Sequence, residues 1–205
     1  MLKIRHLSKH FGGVKAVNNC NFEVKKNRVT ALIGPNGSGK STIFNLISGI
    51  IKEDSGRVIY CDGNDITLFS PEQAANSGIS RLFQKSQLFD NLSVKDNLLL
   101  AIDNEDTKFW KNLFGKNEVT KEKEELVKEM LSLVEMSRFE QNICRELSFG
   151  QKRLVEIVRT ILKPHQLLML DEPMAGVNPK IRKQVSKIIS DLKKKGATIL
   201  LIEHD

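Results

Sequence analysis

The chain has 205 residues, 40% of them hydrophobic, with 32 basic against 25 acidic side chains and a formal charge of +7. That suffices for one sizeable core and is short for two complete domains; no apolar run approaches the ~18 residues that cross a bilayer, and Met1-Leu2-Lys3-Ile4-Arg5 does not open a secretory signal, so the cytosol is the expected compartment. Basic residues are interleaved with acids, so Lys25-Lys26-Asn27-Arg28 and Lys193-Lys194-Lys195 read as solvated surface, and Cys20, Cys61 and Cys144, scattered and without a C-x-x-C pair, read as reduced core thiols.

Along the chain, Leu2 and Ile4, then Phe22 and Val24, alternate with polar residues, and Val58 and Tyr60 repeat the pattern before Asp62-Gly63. This predicts a small antiparallel sheet. The continuous, β-branched run Val29-Thr30-Ala31-Leu32-Ile33 predicts a strand buried on both faces and stopping at Gly34. Helical spacing follows at Ile43, Leu46 and Ile47, closing at Gly49. From Leu88 to Arg145 the pattern is helical, with Val94, Leu98, Ala101 and Ile102 on one face and Leu126, Met130, Leu133 and Val134 on another; Asn104 to Asn117 between them reads as a surface excursion.

The last third alternates again. A helix with Leu154, Ile157, Val158 and Ile161 on one stripe precedes the strand Leu167-Leu168-Met169-Leu170. Next comes a helix with Asn178 as N-cap, Pro179 in its first turn and Ile181, Val185, Ile188, Ile189 and Leu192 inward, ended by Gly196, and then a strand from Ala197 to Glu203. Strands alternating with helices predict an α/β fold with a mostly parallel sheet.

Two stretches carry recognisable chemistry. Gly34-Pro35-Asn36-Gly37-Ser38-Gly39-Lys40-Ser41 fits G-x-x-x-x-G-K-[ST] between a strand and a helix. Glycines let such a loop turn successive N–H groups toward phosphates, the helix start adds partial positive charge and Lys40 a full one, while Ser41 can place its hydroxyl on Mg²⁺. Downstream, the apolar strand ending at Leu170 delivers Asp171 and Glu172 at its C-terminal end, where open α/β sheets bind ligands. Side chains alternate along a strand, so the two acids have different jobs: Asp171 in the Mg²⁺ shell, Glu172 on the water that attacks the γ-phosphate.

Leu147-Ser148-Phe149-Gly150-Gln151, lying between those motifs and opening a helix, resembles the L-S-G-G-Q signature of ABC ATPases, with Phe149 where a Gly is commonest. Ser148 and the N–H groups of a helix start make an anion site, redundant for the chain's own phosphate loop. The resemblance covers essentially the whole chain. It implies a P-loop NTPase (RecA-like) core with an N-terminal antiparallel β subdomain and an inserted helical subdomain over about 86–147, all within one nucleotide-binding domain spanning 1–205. It further implies a head-to-tail dimer, with the same or a related chain, in which Ser148, Gly150 and Gln151 of one copy face the γ-phosphate held by Gly34 to Ser41 and Thr42 of the other.

By position, Gln84 resembles the glutamine that touches Mg²⁺ and the attacking water, and His204 the histidine that contacts the γ-phosphate. Phe11, before Gly12-Gly13, resembles the aromatic residue stacked on adenine, ordinary packing being the alternative. Met174-Ala175-Gly176-Val177-Asn178-Pro179 occupies the D-loop place, with Asn178 where many members have Asp. The catalytic set implied is Glu172, His204, Gln84 and Lys40; the metal set is Ser41, Gln84 and Asp171; the cofactors are ATP and Mg²⁺.

Phe11 to Val17, Leu82-Phe83-Gln84 through Leu88-Phe89, and Ala175 to Pro179 are most similar to the ATPases of branched-chain amino-acid importers, and share features with lipopolysaccharide-export ATPases. The implied setting is the cytoplasmic face of the membrane, beside integral permease subunits and, through them, a solute-binding protein. A nucleic-acid-associated ABC ATPase is the rival that basicity favours; the absence of a long coiled-coil insertion, a zinc-type cysteine cluster and a second cassette argues against it. Members usually continue beyond the position of Asp205, so a truncated chain with an exposed sheet edge, weak ATP binding and better solubility on extension is expected.

Overall fold

A computed structural model describes residues 1–102 and 121–203. Contacts divide the chain into a first unit, Met1–Gln84, His165–Pro173 and Ile189–Asp205, and a second, Lys85–Pro164 and Met174–Ile188.

In the first unit, β1 (Leu2–Phe11) and β2 (Val14–Val24) pair antiparallel. Leu2 and Ile4 point inward with period 2, but the register shifts before Leu7, which is also buried. His6 absorbs the extra residue at φ 50° and its N–H donates to Asn21 Oδ1 at 2.9 Å. The bulge thus keeps an apolar residue facing the core where strict alternation would place a histidine. After β3 (Val29–Ile33) and α1 (Lys40–Ile47) come β4 (Ser55–Tyr60) and β5 (Asn64–Asp65), which complete an antiparallel sheet of order β2-β1-β4-β5, as alternation predicts, with Cys61, Asp62 and Gly63 turning at positive φ.

The short α2 (Pro71–Asn76), closed at its start by a Ser70–Gln73 capping box, leads to β6 (Ile79–Leu82). β7 (Leu167–Asp171) and β8 (Ile199–Glu203) then join β3 and β6 in a parallel sheet of order β3-β8-β7-β6. All five residues of β7 are buried. β3 corrects the sequence expectation: Ala31 is exposed and Ile33 is 69% exposed. Among the described residues β3 pairs only with β8, so a run that reads as doubly covered sits at an edge. A single apolar cluster joins the inner faces of the two sheets through Ile43, Phe44, Leu46 and Ile47 of α1, with Leu2, Ile4, Val58, Met169 and Ile202 among its members.

The second unit contains α3 (Val94–Ile102), α4 (Lys121–Leu133) and α5 (Phe149–Leu162), each in contact with the other two. The inward stripe of α4 is Val127 and Leu131, continued just past its end by Val134; of the expected Leu126, Met130, Leu133 and Val134 only Val134 is fully buried, and Leu126 and Leu133 are exposed. Two apolar stripes lie side by side in that sequence, about 100° apart around the helix, and period alone does not choose between them. On α3, buried Asn97 replaces the expected contribution of half-buried Ala101 and Ile102. Its side chain accepts from Phe89 N and donates to the carbonyls of Phe89 and Ser93, tying the preceding loop to the helix. Asn104 to Asn117 lies outside the described residues.

α6 (Pro179–Lys194) starts in the second unit and ends in the first. Asn178 caps it as expected, its Oδ1 accepting from Ile181 N at 3.0 Å. The three cysteines are free, and burial pushes the Cys144 thiol up to about 11, leaving an inert core thiol.

Candidate functional site

Parallel strands point their C-terminal ends the same way, so four consecutive strands bring four loops to one edge of the first unit's sheet. Gly34 follows β3, Gln84 lies two residues beyond β6, Asp171 and Glu172 close β7, and Glu203 closes β8. The register aligns Ile33 with Glu203 and Asp171 with Ile202. This is the edge at which open α/β sheets bind ligands.

The loop after β3 owes its path to glycine. Gly39 occupies the N-cap position of α1 at φ 90°, and a Cβ there would lie 2.1 Å from the carbonyl oxygen of Ala16. Only a residue without a side chain passes so close to β2 in that conformation. No side chain caps α1 and no acid sits in its first turn, whereas α2, α3 and α4 carry Glu72, Asp96, and Glu122 with Glu124 in theirs. The first-turn N–H groups of α1 therefore face outward with no carboxylate or hydroxyl of their own helix on them, the requirement for an anion cradle. Lys40 is 8% exposed and its ammonium donates to the carbonyls of Gly34 at 2.6 Å and Pro35 at 2.9 Å, arching over the loop. Pro35, Asn36, Gly37, Ser38 and Ser41 are exposed, and Thr42 is half-buried.

At the end of β7, the Asp171 side chain is 3% exposed and pairs with Arg81 of β6, Oδ2 accepting from Nη2 at 3.2 Å. Burial pulls the Arg81 pKa down while Asp171 pushes it back up. Glu172 stands at φ 47°, a left-handed conformation that costs an L-residue about 1–2 kcal/mol. Its N–H still bonds Ile202 O at 3.1 Å, so the chain swings away from the strand at the carboxylate itself. Strain held at one acid beside the phosphate loop is the kind of outlier that accompanies function.

Phe11 ends β1 at the hairpin tip and is 49% exposed, with Lys9 Nζ 5.7 Å from the ring centre. Its face is not consumed by core packing. Gln84 is exposed at the end of the first unit. His204 lies outside the described residues.

The second unit holds the other predicted motif. Ser148 caps α5 in a closed box: its Oγ accepts from Gln151 N at 3.3 Å and Gln151 Oε1 accepts from Ser148 N at 2.8 Å. Gly150 gives Ile181 room, since a Cβ there would fall 2.3 Å from Cδ1, and the Phe149 ring lies against left-handed Gly176 while remaining 65% exposed. The residues that follow Gln84 are fastened to α5 within this unit. Gln87 N donates to Glu156 Oε1 at 3.0 Å, Arg159 donates to Gln87 O, and Lys152 Nζ meets Asp90 Oδ1 at 2.9 Å.

The ABC transporter family model matches residues 17–175, a span running from within β2 through the glycine-rich loop and Leu147–Gln151 to the acids that close β7. The chain belongs to the ABC transporter family. Among relatives of this cassette is the "Probable branched-chain amino acid transport ATP-binding protein LivG" of Archaeoglobus fulgidus, 37% identical over all of this chain and 79% of its own length. The lipopolysaccharide export system ATP-binding protein LptB of Haemophilus influenzae is 31% identical over all of this chain and 80% of its own. The ADP conformation of MJ1267, an ATP-binding cassette of an ABC transporter, superimposes with a TM-score of 0.80 at 38% identity, covering all of this chain and 81% of that one. The fold is thus that of the P-loop NTPase cassette, with its parallel core sheet, antiparallel β subdomain and helices.

Arg81 is the residue that sequence reasoning passed over. A charged side chain inside Ile79-Ser80-Arg81-Leu82, otherwise a buried strand, was the available signal.

Proposed function

We propose that this chain is the ATP-binding and ATP-hydrolysing subunit of a membrane transporter, and that the transporter imports branched-chain amino acids or similar small solutes. The observation that carries the ATPase reading is the uncapped, acid-free start of α1 behind left-handed Gly39, with buried Lys40 arched over the same loop. Neutral donors and one cation converge there, as a polyphosphate requires.

In this reading Gly34 to Thr42 bind the phosphates, and Phe11 offers its exposed face to the base. Ser41 and Asp171, with Gln84, present hard oxygen ligands that suit Mg²⁺ and hold it where it is needed. Bound there, Mg²⁺ would supply positive charge to balance what builds on the phosphates. Glu172 orients the attacking water and accepts its proton, its carboxylate turned off the strand axis by the left-handed backbone. Ser148, Gly150 and Gln151 of a second copy close over the γ-phosphate, and His204 contacts it. The link from Gln87 through Glu156 and Arg159 to α5 ties the segment after Gln84 to the helix that Ser148 caps, a route by which nucleotide state reaches permease subunits.

No helix among the described residues is long and apolar enough to cross a membrane; in this reading the permease holds the chain at the cytoplasmic face. The importer assignment draws on the LivG relative; the LptB relative favours lipopolysaccharide export as the second reading. Co-purification from membranes separates them, since only the importer brings a solute-binding protein.

Glu172→Gln tests the chemistry. Hydrolysis should fall by about 10²–10⁴-fold, the usual contribution of a positioned base, while ATP is retained and a closed dimer accumulates on size-exclusion chromatography. Undiminished turnover removes Glu172 from its role.

A further inference from the structure

Arg81 is buried at the centre of the first unit's site, and no step of the reaction above uses it. Its side chain is 7% exposed. One guanidinium nitrogen donates to Asn45 Oδ1 on α1 at 2.8 Å and to Ser48 Oγ at the helix C-cap at 3.2 Å; the other donates to Asp171 Oδ2 at 3.2 Å. The rings of Phe44 and Phe83 flank it at 5.4 and 4.8 Å. Nε is buried without a hydrogen-bond partner among the described residues, so burial alone does not explain why a cation is kept here.

The partners on α1 give the placement meaning. Ser41, Asn45 and Ser48 are spaced i, i+4 and i+7, one stripe of the helix. Arg81 therefore binds the same helical stripe that begins with the proposed metal ligand Ser41, and in the same grip binds the second proposed ligand, Asp171. It thereby ties the Asp171 carboxylate to the stripe that Ser41 opens. A buried carboxylate without a counter-charge is costly, and a buried guanidinium supplies that charge.

We propose that Arg81 is a positioning residue that acts as resident counter-cation for Asp171, holding the carboxylate in line with the Ser41 stripe and yielding its charge-balancing role when a divalent cation binds. The inference rests on the nucleotide-site reading, and adds to it a competition between a fixed cation and the metal for one carboxylate. Without Arg81 the carboxylate loses a buried counter-charge, and a bound metal makes up for that loss.

The test uses the nucleotide-free 205-residue chain, with Mn²⁺ as an EPR probe and thermal unfolding in EDTA or Mg²⁺. Arg81→Met should bind Mn²⁺ about tenfold more tightly than the unsubstituted chain, the scale of removing one nearby positive charge at intermediate dielectric. Its Tm should drop in EDTA and recover in Mg²⁺, whereas Mg²⁺ alone should leave the parent's Tm nearly unmoved. Arg81→Lys keeps the charge and should hold Mn²⁺ affinity near the parent's, and Arg81→Met combined with Asp171→Asn should lose the metal response altogether.

A purely packing role predicts equal Tm losses in EDTA and Mg²⁺ and unchanged Mn²⁺ affinity, and that result overturns the proposal. Should Arg81→Met not fold, Arg81→Lys decides: Mn²⁺ binding as tight as predicted for the charge-free variant sinks it. ATP binding by the parent and its loss in Lys40→Ala, measured in parallel, tests the nucleotide reading separately, because the Mn²⁺ arm contains no nucleotide.

Discussion

Two helix starts do opposite things with the same backbone groups. At α1 the N-cap is a left-handed glycine with no side-chain cap, and the first-turn amides are left for something outside the helix. At α5 Ser148 and Gln151 close a reciprocal box and spend their side chains on two of those amides. The difference teaches that a helix N-terminus is not by itself an anion site. One end leaves its amides without a side-chain cap, and the other is already satisfied locally and, in the proposed reading, needs a second surface brought up to it. That fits a nucleotide gripped fully by one loop and touched by a signature from another copy, with Ser148 serving two masters.

The largest expected effect falls on the uncapped end. Lys40→Ala removes its only full charge together with two bonds to loop carbonyls, and hydrolysis should drop by at least about 10²-fold, with binding of a fluorescent ATP analogue lost. Binding at parental affinity would place the phosphates elsewhere and erase the contrast between the two helices.

Next is Gly39→Ala. With φ at 90° and the new Cβ 2.1 Å from Ala16 O, the loop must move, costing about 1–3 kcal/mol, visible as a lower midpoint in urea and weaker nucleotide binding. A fully tolerated alanine means the loop does not take this path in solution.

The smallest effect sharpens the comparison most. Ser148→Ala should cost about 1 kcal/mol as a lost cap. Ser148→Asp restores a cap of equal quality and should restore that stability, yet in the proposed dimer it sets a negative charge where the γ-phosphate of a second copy would arrive, so ATP-driven dimers on size-exclusion chromatography should disappear. If Ser148→Asp dimerises like the parent, the α5 start is a cap and nothing more.

Much of the site was legible because its residues are consecutive. A phosphate loop must place several backbone amides on one ligand, which needs contiguous chain, and Gly34 to Ser41 keep their meaning in any text of the sequence. Asp171 and Glu172 were legible for a related reason: an apolar strand ending in acids delivers them to a sheet edge. The inward face of α4 was not, because adjacent apolar stripes at 126/130/133 and 127/131/134 satisfy the same period. Arg81 was not, because its partners Asn45, Ser48 and Asp171 lie 36, 33 and 90 positions away.

What the sequence determined alone was the alternation of strands and helices outside the stretch from β5 to β6, the glycine-rich loop ahead of α1, the acid-ended strand β7 and the family, since each depends on local spacing and residue type. What only the tertiary structure decided was that β3 lies at an edge, that Glu172 bends left-handed against β8, and that one buried guanidinium joins α1 to the carboxylate of β7. Those depend on which strands become neighbours and on the charge balance of a dry interior, and long-range pairing of this kind leaves no periodic trace along the chain.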